Sequence, residues 1–273
     1  MRRAKIVCTL GPASDDRGTI RNLADAGMAV ARLNASHGTH ADRAEVIDRI
    51  HAVDAAVDDP LSSMLDLQGP EVRTAEIDDP IELPTDATVR FVDGATATPA
   101  EVGLSYAISA VEPGDTVLLD DGRIETRVEA VDGDAVTARV VSGGELGSRK
   151  GVNIPGVDLD LDVVTDRDRR DIEVAVEGDA DFVAASFVRD AADVYAVTDA
   201  IENAGGDIPV VSKIERAGAV DNIDEIVEAS YGVMVARGDL GVECPLEHVP
   251  MVQKRIIHSA QDAGVPVITA TEM

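Results

Sequence analysis

Short apolar runs and helix-like patterns take turns along most of this chain, and the alternation is broken only once. Runs at 5–10, 29–34 and 62–67 are separated by helical patterns near 17–27 and 41–57. After 165 the alternation resumes: helix 165–177, strand 181–187, helix 190–204, strand 208–214, helix 216–229 and strand 231–236. A helix near 246–263 and a strand at 265–271 follow. Continuous apolar strands joined by crossover helices specify a parallel sheet covered by helices. The sequence yields seven such strands, three before the interruption and four after it. A closed (β/α)₈ barrel of the TIM type needs eight. The expected fold class is therefore α/β, a TIM barrel lacking strand 8, and an open barrel would leave two strand edges unpaired.

Between about 75 and 150 the pattern changes to short strands punctuated by turns. Pro84-Thr85-Asp86, Val92-Asp93-Gly94, Pro113-Gly114-Asp115, Asp121-Gly122 and Val131-Asp132-Gly133-Asp134 recur at intervals that suit a small all-β unit. The expected organisation is barrel 1–74, inserted β unit 75–150 and barrel 151–273.

Composition sets limits on partners. Hydrophobic residues make up 45 % and aromatics only 2 %, with no Trp, so the core must be built from Val, Ile, Leu and Ala. The net charge of −28, spread over all segments, argues against nucleic-acid binding, because a phosphate backbone would be repelled. Only four of the twenty-four basic residues are lysines (Lys5, Lys150, Lys213 and Lys254). An acidic, lysine-poor surface suggests adaptation to a high-salt cytoplasm, where screening removes self-repulsion. No apolar run reaches the length of a membrane span, and Met1–Lys5 leads straight into a strand with no signal-peptide core. Cys8 and Cys244 lack metal-ligand spacing and read as buried free thiols. A cytoplasmic location is expected.

In a parallel barrel the chemistry sits where strands end. Strand 2 ends Arg32-Leu33-Asn34-Ala35-Ser36, whose two-residue period sets Arg32 and Asn34 on one face that Ser36 could continue. Strand 3 ends at Asp66, strand 5 carries Lys213 and Glu215 at i and i+2, and strand 6 runs into Arg237-Gly238-Asp239-Leu240-Gly241. The last strand ends at Thr271. This set suits phosphoryl transfer, whose transition state spreads negative charge and needs local cations. In so acidic a chain those cations would be Arg32, Lys213 and a bound metal. Glu215 and Asp239 could hold Mg²⁺ with open positions left for substrate. Gly238 and Gly241 would admit an anion close to the backbone. Each residue alone has a plainer reading: a strand Lys or Arg is commonly a salt-bridged structural residue, and Gly-Asp-Leu-Gly a turn. His37 and His248 read as surface or capping residues. No phosphate-cradling Walker loop, nucleophile elbow or zinc pattern is present.

Six ordered segments resemble those of pyruvate kinases. They are Lys5–Ser14, Gly27–Gly38, Gly69–Thr74, Gly147–Gly156, Val211–Glu215 and Met234–Gly241, together spread over the whole chain. The resemblance implies a barrel with an all-β lid inserted after strand 3, and transfer of a phosphoryl group from phosphoenolpyruvate to ADP. It implies that Lys213 stabilises the transition state and the enolate, and that Arg32 contacts the transferring phosphoryl group. Glu215 and Asp239 would be ligands of Mg²⁺ or Mn²⁺, and Asn34, Ser36 and Asp66 of K⁺. Gly238, Asp239 and Thr271 would border the substrate, Thr271 beside its proton relay. Arg73 would sit at the lid hinge, and Ser186-Phe187 match a strand 4 motif of unassigned role. The resemblance also implies a homo-oligomer, a tetramer in the family, and a further strand and C-terminal domain.

Two departures bear on this. Where the family commonly reads Asp-Thr-Lys-Gly-Pro-Glu, this chain has Asp66-Leu67-Gln68-Gly69-Pro70-Glu71. Leu67 offers no oxygen to K⁺; Leu-Gln resembles potassium-independent relatives, which usually carry Lys where Glu71 stands. Potassium dependence is thus left open. Glu272 replaces a usual Gln. Besides an active pyruvate kinase, the sequence admits a truncated, non-catalytic product or another Mg²⁺-dependent barrel enzyme of the phosphoenolpyruvate and pyruvate class.

Overall fold

In the computed structural model, residues 4–270 are described. Before the interruption come β1 (Ile6–Leu10), α1 (Arg17–Ala26), β2 (Met28–Asn34), α2 (His40–Asp54) and β3 (Ser62–Asp66). The interrupting segment holds β4 (Ile81–Leu83), β5 (Thr88–Asp93), β6 (Glu101–Leu104), β7 (Thr116–Leu119), β8 (Ile124–Asp132), β9 (Ala135–Ser142) and β10 (Gly144–Leu146), and β11 (Val152–Asn153), just past residue 150, pairs with β7. After it follow α3 (Asp166–Glu177), β12 (Phe182–Ala185), α4 (Ala191–Asn203), β13 (Val210–Ile214), α5 (Ala217–Asp221) and α6 (Ile223–Ala229). The last elements are β14 (Gly232–Val235), α7 (Arg237–Glu243), α8 (Val249–Ala263) and β15 (Val267–Thr269).

The expected seven strands form one sheet in the order β1-β2-β3-β12-β13-β14-β15, every pairing parallel. Helix starts follow from the local chemistry. Asp16 caps α1, and Thr39 and Thr165 form reciprocal capping boxes with Asp42 and Asp168 at α2 and α3. Gly27 ends α1 at φ 115°, a left-handed conformation that Gly adopts without a Cβ clash.

Two expectations on helices need correction. The helix read at 216–229 is split at Asn222 into α5 and α6. The segment Arg237-Gly238-Asp239-Leu240-Gly241, read as a glycine-flanked acid leading toward a helix with a turn as the plainer alternative, is itself the start of the short helix α7. Two glycines weaken any helix signal there, and the capping position is Ala236, which offers no side-chain cap.

Period two along each strand divides its side chains between two cores. One set, including Leu33, Leu65, Val183, Ile214 and Val235, packs under the helices. The other faces the barrel interior, where Met64, Ala184, Val211 and Met234 form an apolar layer with Val30, Phe182, Ile268 and Ala270 against it. Continuing that inward face toward the strand ends gives Arg32 and Asn34 on β2, Asp66 on β3, Lys213 on β13 and Glu215 just past it. The polar site is thus the layer above an apolar floor.

The interrupting segment has its own core, with Phe91, Val89, Leu104, Leu119 and Leu146 fully buried. Its strands form a six-stranded sheet, β11-β7-β8-β9-β5-β6, and a pair, β10-β4. The chain enters and leaves it side by side: Thr74 N–H donates to Lys150 O at 2.8 Å, and Val152 N–H to Val72 O at 2.9 Å.

Candidate active site at the strand ends

Lys213 lies at the centre of the polar layer, its side chain 12 % exposed. Its Nζ contacts Glu215 Oε1 at 2.6 Å, Ser186 Oγ at 2.8 Å and Asp66 Oδ1 at 3.3 Å. Burial alone would drive the proton off a lysine, but Asp66 and Glu215 outweigh it and hold the ammonium charged. Asp66 is buried, and its second oxygen accepts from Arg32 Nε at 2.5 Å and pairs with Nη2. Arg32 Nη1 then donates to Thr9 Oγ1 at 2.7 Å, which fixes the guanidinium across three strands.

Glu215 is fully buried, and burial pushes its carboxyl up to about 7 against the pull of Lys213, with Asp239 adding to the rise. Its Oε2 accepts the N–H of Phe187 at 2.7 Å. That N–H is aimed by an uncommon backbone: Phe187 has φ 59°. Gly69 packs against it at φ 68°, where a Cβ would come within 2.9 Å of the Phe187 ring. The Gly69 N–H donates to the buried Asp168 at 3.1 Å. Asp239, in the first turn of α7, is raised by burial, eased by Lys213 and raised further by Glu71. Glu71 is itself raised by burial, with Arg73 opposing and Glu215 adding. Three carboxylates, Glu71, Glu215 and Asp239, therefore feel one another across a site whose central cation is Lys213.

The β2 end carries the remaining candidates. Asn34 Oδ1 accepts from the Ser36 N–H at 2.9 Å, and Ala35 N–H donates to Asp66 O at 2.8 Å, so Asn34, Ser36 and Asp66 belong to one turn-and-strand unit. Leu67 beside them is buried and offers only its backbone carbonyl, which accepts from Ser186 Oγ at 2.7 Å. Arg73 is bound to Glu71, with Nε and Nη2 at 2.9 and 2.7 Å from Oε2, while Nη1 donates to Arg149 O across the insert crossover. Gly238 sits within α7. Thr271 and Glu272 lie outside the described residues. His37 and His248 are exposed, as expected. Cys8 and Cys244 are free thiols, half-buried rather than fully buried. Sequence reasoning left Ser186 without a role, yet its hydroxyl ties Lys213 to strand β3; its place in Ala185-Ser186-Phe187 was the only signal.

Over its full length, residues 1–273, the chain matches the family model for the pyruvate kinase barrel domain. The chain belongs to the pyruvate kinase family. Pyruvate kinases of Staphylococcus aureus strains MRSA252, USA300 and N315 are each 44 % identical to it over 279 residues, covering all of this chain and 48 % of the relative. The chain spans about half the length of these curated relatives. The barrel with its inserted β sheet agrees with that membership, and no helix among the described residues is long and apolar enough to cross a membrane.

The donor chemistry fits a hard divalent ion. Glu215 and Asp239 present only oxygen, and their upward shifts mark crowded, desolvated carboxylates that a cation would relieve. Among the described residues no group of three or more His, Cys, Asp or Glu is placed to enclose a metal. A two-carboxylate site of this kind leaves the rest of the coordination shell to substrate oxygens and water.

Proposed function

We propose that this chain carries the phosphoryl-transfer site of a pyruvate kinase, converting phosphoenolpyruvate and ADP to pyruvate and ATP. The observation that carries the reading is the buried, charged Lys213 held among Asp66, Ser186 and Glu215. In the reaction the bond from the phosphoryl phosphorus to the enol oxygen breaks and one to an ADP oxygen forms. Negative charge moves onto the enol oxygen and the equatorial phosphoryl oxygens. Lys213 would stabilise that charge, its longest contact, 3.3 Å to Asp66, being the one most readily exchanged for a substrate oxygen. Arg32, fixed by Asp66 and Thr9, would contact the transferring group. The enolate then takes a proton at carbon, a step for which the resemblance nominates Thr271.

Glu215 and Asp239 would hold Mg²⁺ or Mn²⁺, which supplies positive charge to the phosphoryl and carboxylate oxygens of the substrate. Asn34, Ser36 and Asp66 would ligate K⁺. With Leu67 in place of a hydroxyl residue, that site has one donor fewer than the usual pattern. Gly238 would let substrate approach the start of α7. Arg73 would leave Glu71 as the lid, taken as residues 75–150 between barrel portions 1–74 and 151–273, closes on the cleft. A homo-oligomer in a salt-rich cytoplasm completes the reading.

Pyruvate formation from phosphoenolpyruvate and ADP, measured with Mg²⁺ in concentrated KCl, tests it. Turnover that disappears on omitting Mg²⁺ is the expected result. If neither this chain nor a version extended to the length of its relatives forms pyruvate, the proposal is wrong. Turnover by the longer version alone would make this chain a non-catalytic part of the enzyme.

A further inference from the structure

A second charged cluster lies outside the site, between α2 and α3. Asp171 on α3 has a fully buried side chain, and Arg43 on α2 is 4 % exposed. Their ions meet at 2.5 Å, with His40 at 3.4 Å and Arg167 at 3.9 Å from the same carboxylate. Arg43 makes the tightest of these contacts. Arg43 Nε is buried with no hydrogen-bond partner of its own. Such an arrangement is a poor way to gain stability, since desolvating the charges offsets their attraction and apolar side chains would serve as well.

What it does achieve is visible on the other side of the two guanidiniums. Arg43 Nη1 donates to His37 O at 2.8 Å and to Gly38 O at 3.2 Å, and Arg167 Nη2 donates to Ala35 O at 2.6 Å. Three of the four carbonyls from Ala35 to Gly38 are thus held by two arginines that share one buried counter-charge. This is the turn that carries Ser36 and follows Asn34.

We propose that Asp171 is a positioning residue: through Arg43 and Arg167 it sets the Ala35–Gly38 turn, and with it the cation-facing oxygens of Asn34 and Ser36. The cation role of those oxygens rests on the function proposed above, but the positioning does not.

Amide hydrogen exchange of the full chain, with thallium(I) acetate as a potassium probe, tests both parts separately. In Asp171→Asn and in Arg43→Met the amides of Ala35, Ser36 and His37 should exchange about tenfold faster, the loss expected when buried charged hydrogen bonds go unaligned. The Val211 amide in the barrel sheet should keep its parent rate. Asp171→Glu should restore part of the protection. Unchanged exchange at 35–37 in both variants would overturn the proposal, as would equal acceleration at Val211, which marks a merely structural residue. Should Asp171→Asn fail to fold, Arg167→Met, with a side chain 34 % exposed, reads the same turn through Ala35, and unchanged exchange there overturns it too. Thallium affinity should fall about tenfold in parallel. A parent chain that binds no thallium would take the cation role from Asn34, Ser36 and Asp66, and the exchange comparison would still decide the positioning.

Discussion

Lys213 and Glu215 stand two residues apart at the end of β13, with 2.6 Å between Nζ and Oε1, so one strand delivers a cation and a carboxylate to the same point. The spacing follows from the pleat: side chains at i and i+2 share a face, and that face here looks into the barrel. Removing Lys213 leaves Glu215 buried among like charges, whereas removing Glu215 leaves Lys213 its contact with Asp66.

Lys213→Met should therefore act twice. Loss of the cation at the developing charge should cut kcat by roughly a thousandfold. Stability should also fall by about 3 kcal/mol, because Glu215 is left buried without its counter-ion, while Asp66 keeps Arg32. Steady-state pyruvate formation and urea unfolding read the two effects, and full activity in the variant would remove the role assigned to this lysine.

At Gly69, Ala should be destabilising. Its φ of 68° disfavours a Cβ, and that Cβ would meet both the Phe187 ring at 2.9 Å and Ser186 Cβ at 3.1 Å. A cost of about 2 kcal/mol is expected from strain and overpacking together. Gly122→Ala provides the control, with φ 80° but open space around the new carbon, and should lose about 1 kcal/mol. Chemical denaturation of the two variants separates conformation from crowding.

Asp120 predicts part of the acid sensitivity. Burial raises its carboxyl, but hydrogen bonds from Lys150 and Arg123 outweigh this and leave it below its ordinary value of 3.8. The unfolded chain therefore binds this proton first. The stabilisation is complete above pH 3.8 and is lost as pH falls through the depressed native value. Lys150→Met, which removes a 2.8 Å partner, should flatten that segment of the stability–pH curve. Urea midpoints at pH 7 and pH 3 test this, and an unchanged difference between the two would contradict it.

A net charge of −28 predicts a strong response to salt. Screening length falls from about 10 Å at 0.1 M to about 3 Å at 1 M, so self-repulsion between neighbouring acids should fade over that range. The melting temperature should climb steadily as KCl is raised into the molar range. A flat curve would argue against the salt-adapted reading.

Much of this was readable from the chain because the relevant signals are local. The seven barrel strands are apolar runs bounded by capped helices, and turn-forming residues mark the insert, so periodicity alone recovers both. Lys213, Glu215, Asp66 and Arg32 could be picked out because strand ends are where a barrel keeps its polar side chains. Other features depend on distant neighbours. Nothing near Ser186 announces that its hydroxyl will link Lys213 to Leu67, and nothing near Asp171 announces two arginines. The start of α7 at Arg237 was hard to place because its two glycines speak against the helix that the surrounding fold imposes.

The side-by-side crossing of the chain at Thr74 and Lys150 has a consequence for how the molecule reaches its native state. The bond from Ser63 to Asp181 that helps join β3 to β12 closes a loop of 118 residues, an entropically slow event. If the interrupting segment folds first on its own core, the Thr74–Lys150 contact already brings the two ends together, and only the short connectors remain to be closed. The insert then acts as a kinetic clasp for the barrel. Truncating its buried Phe91 should slow assembly of the parallel sheet as well as loosen the unit in which that side chain sits.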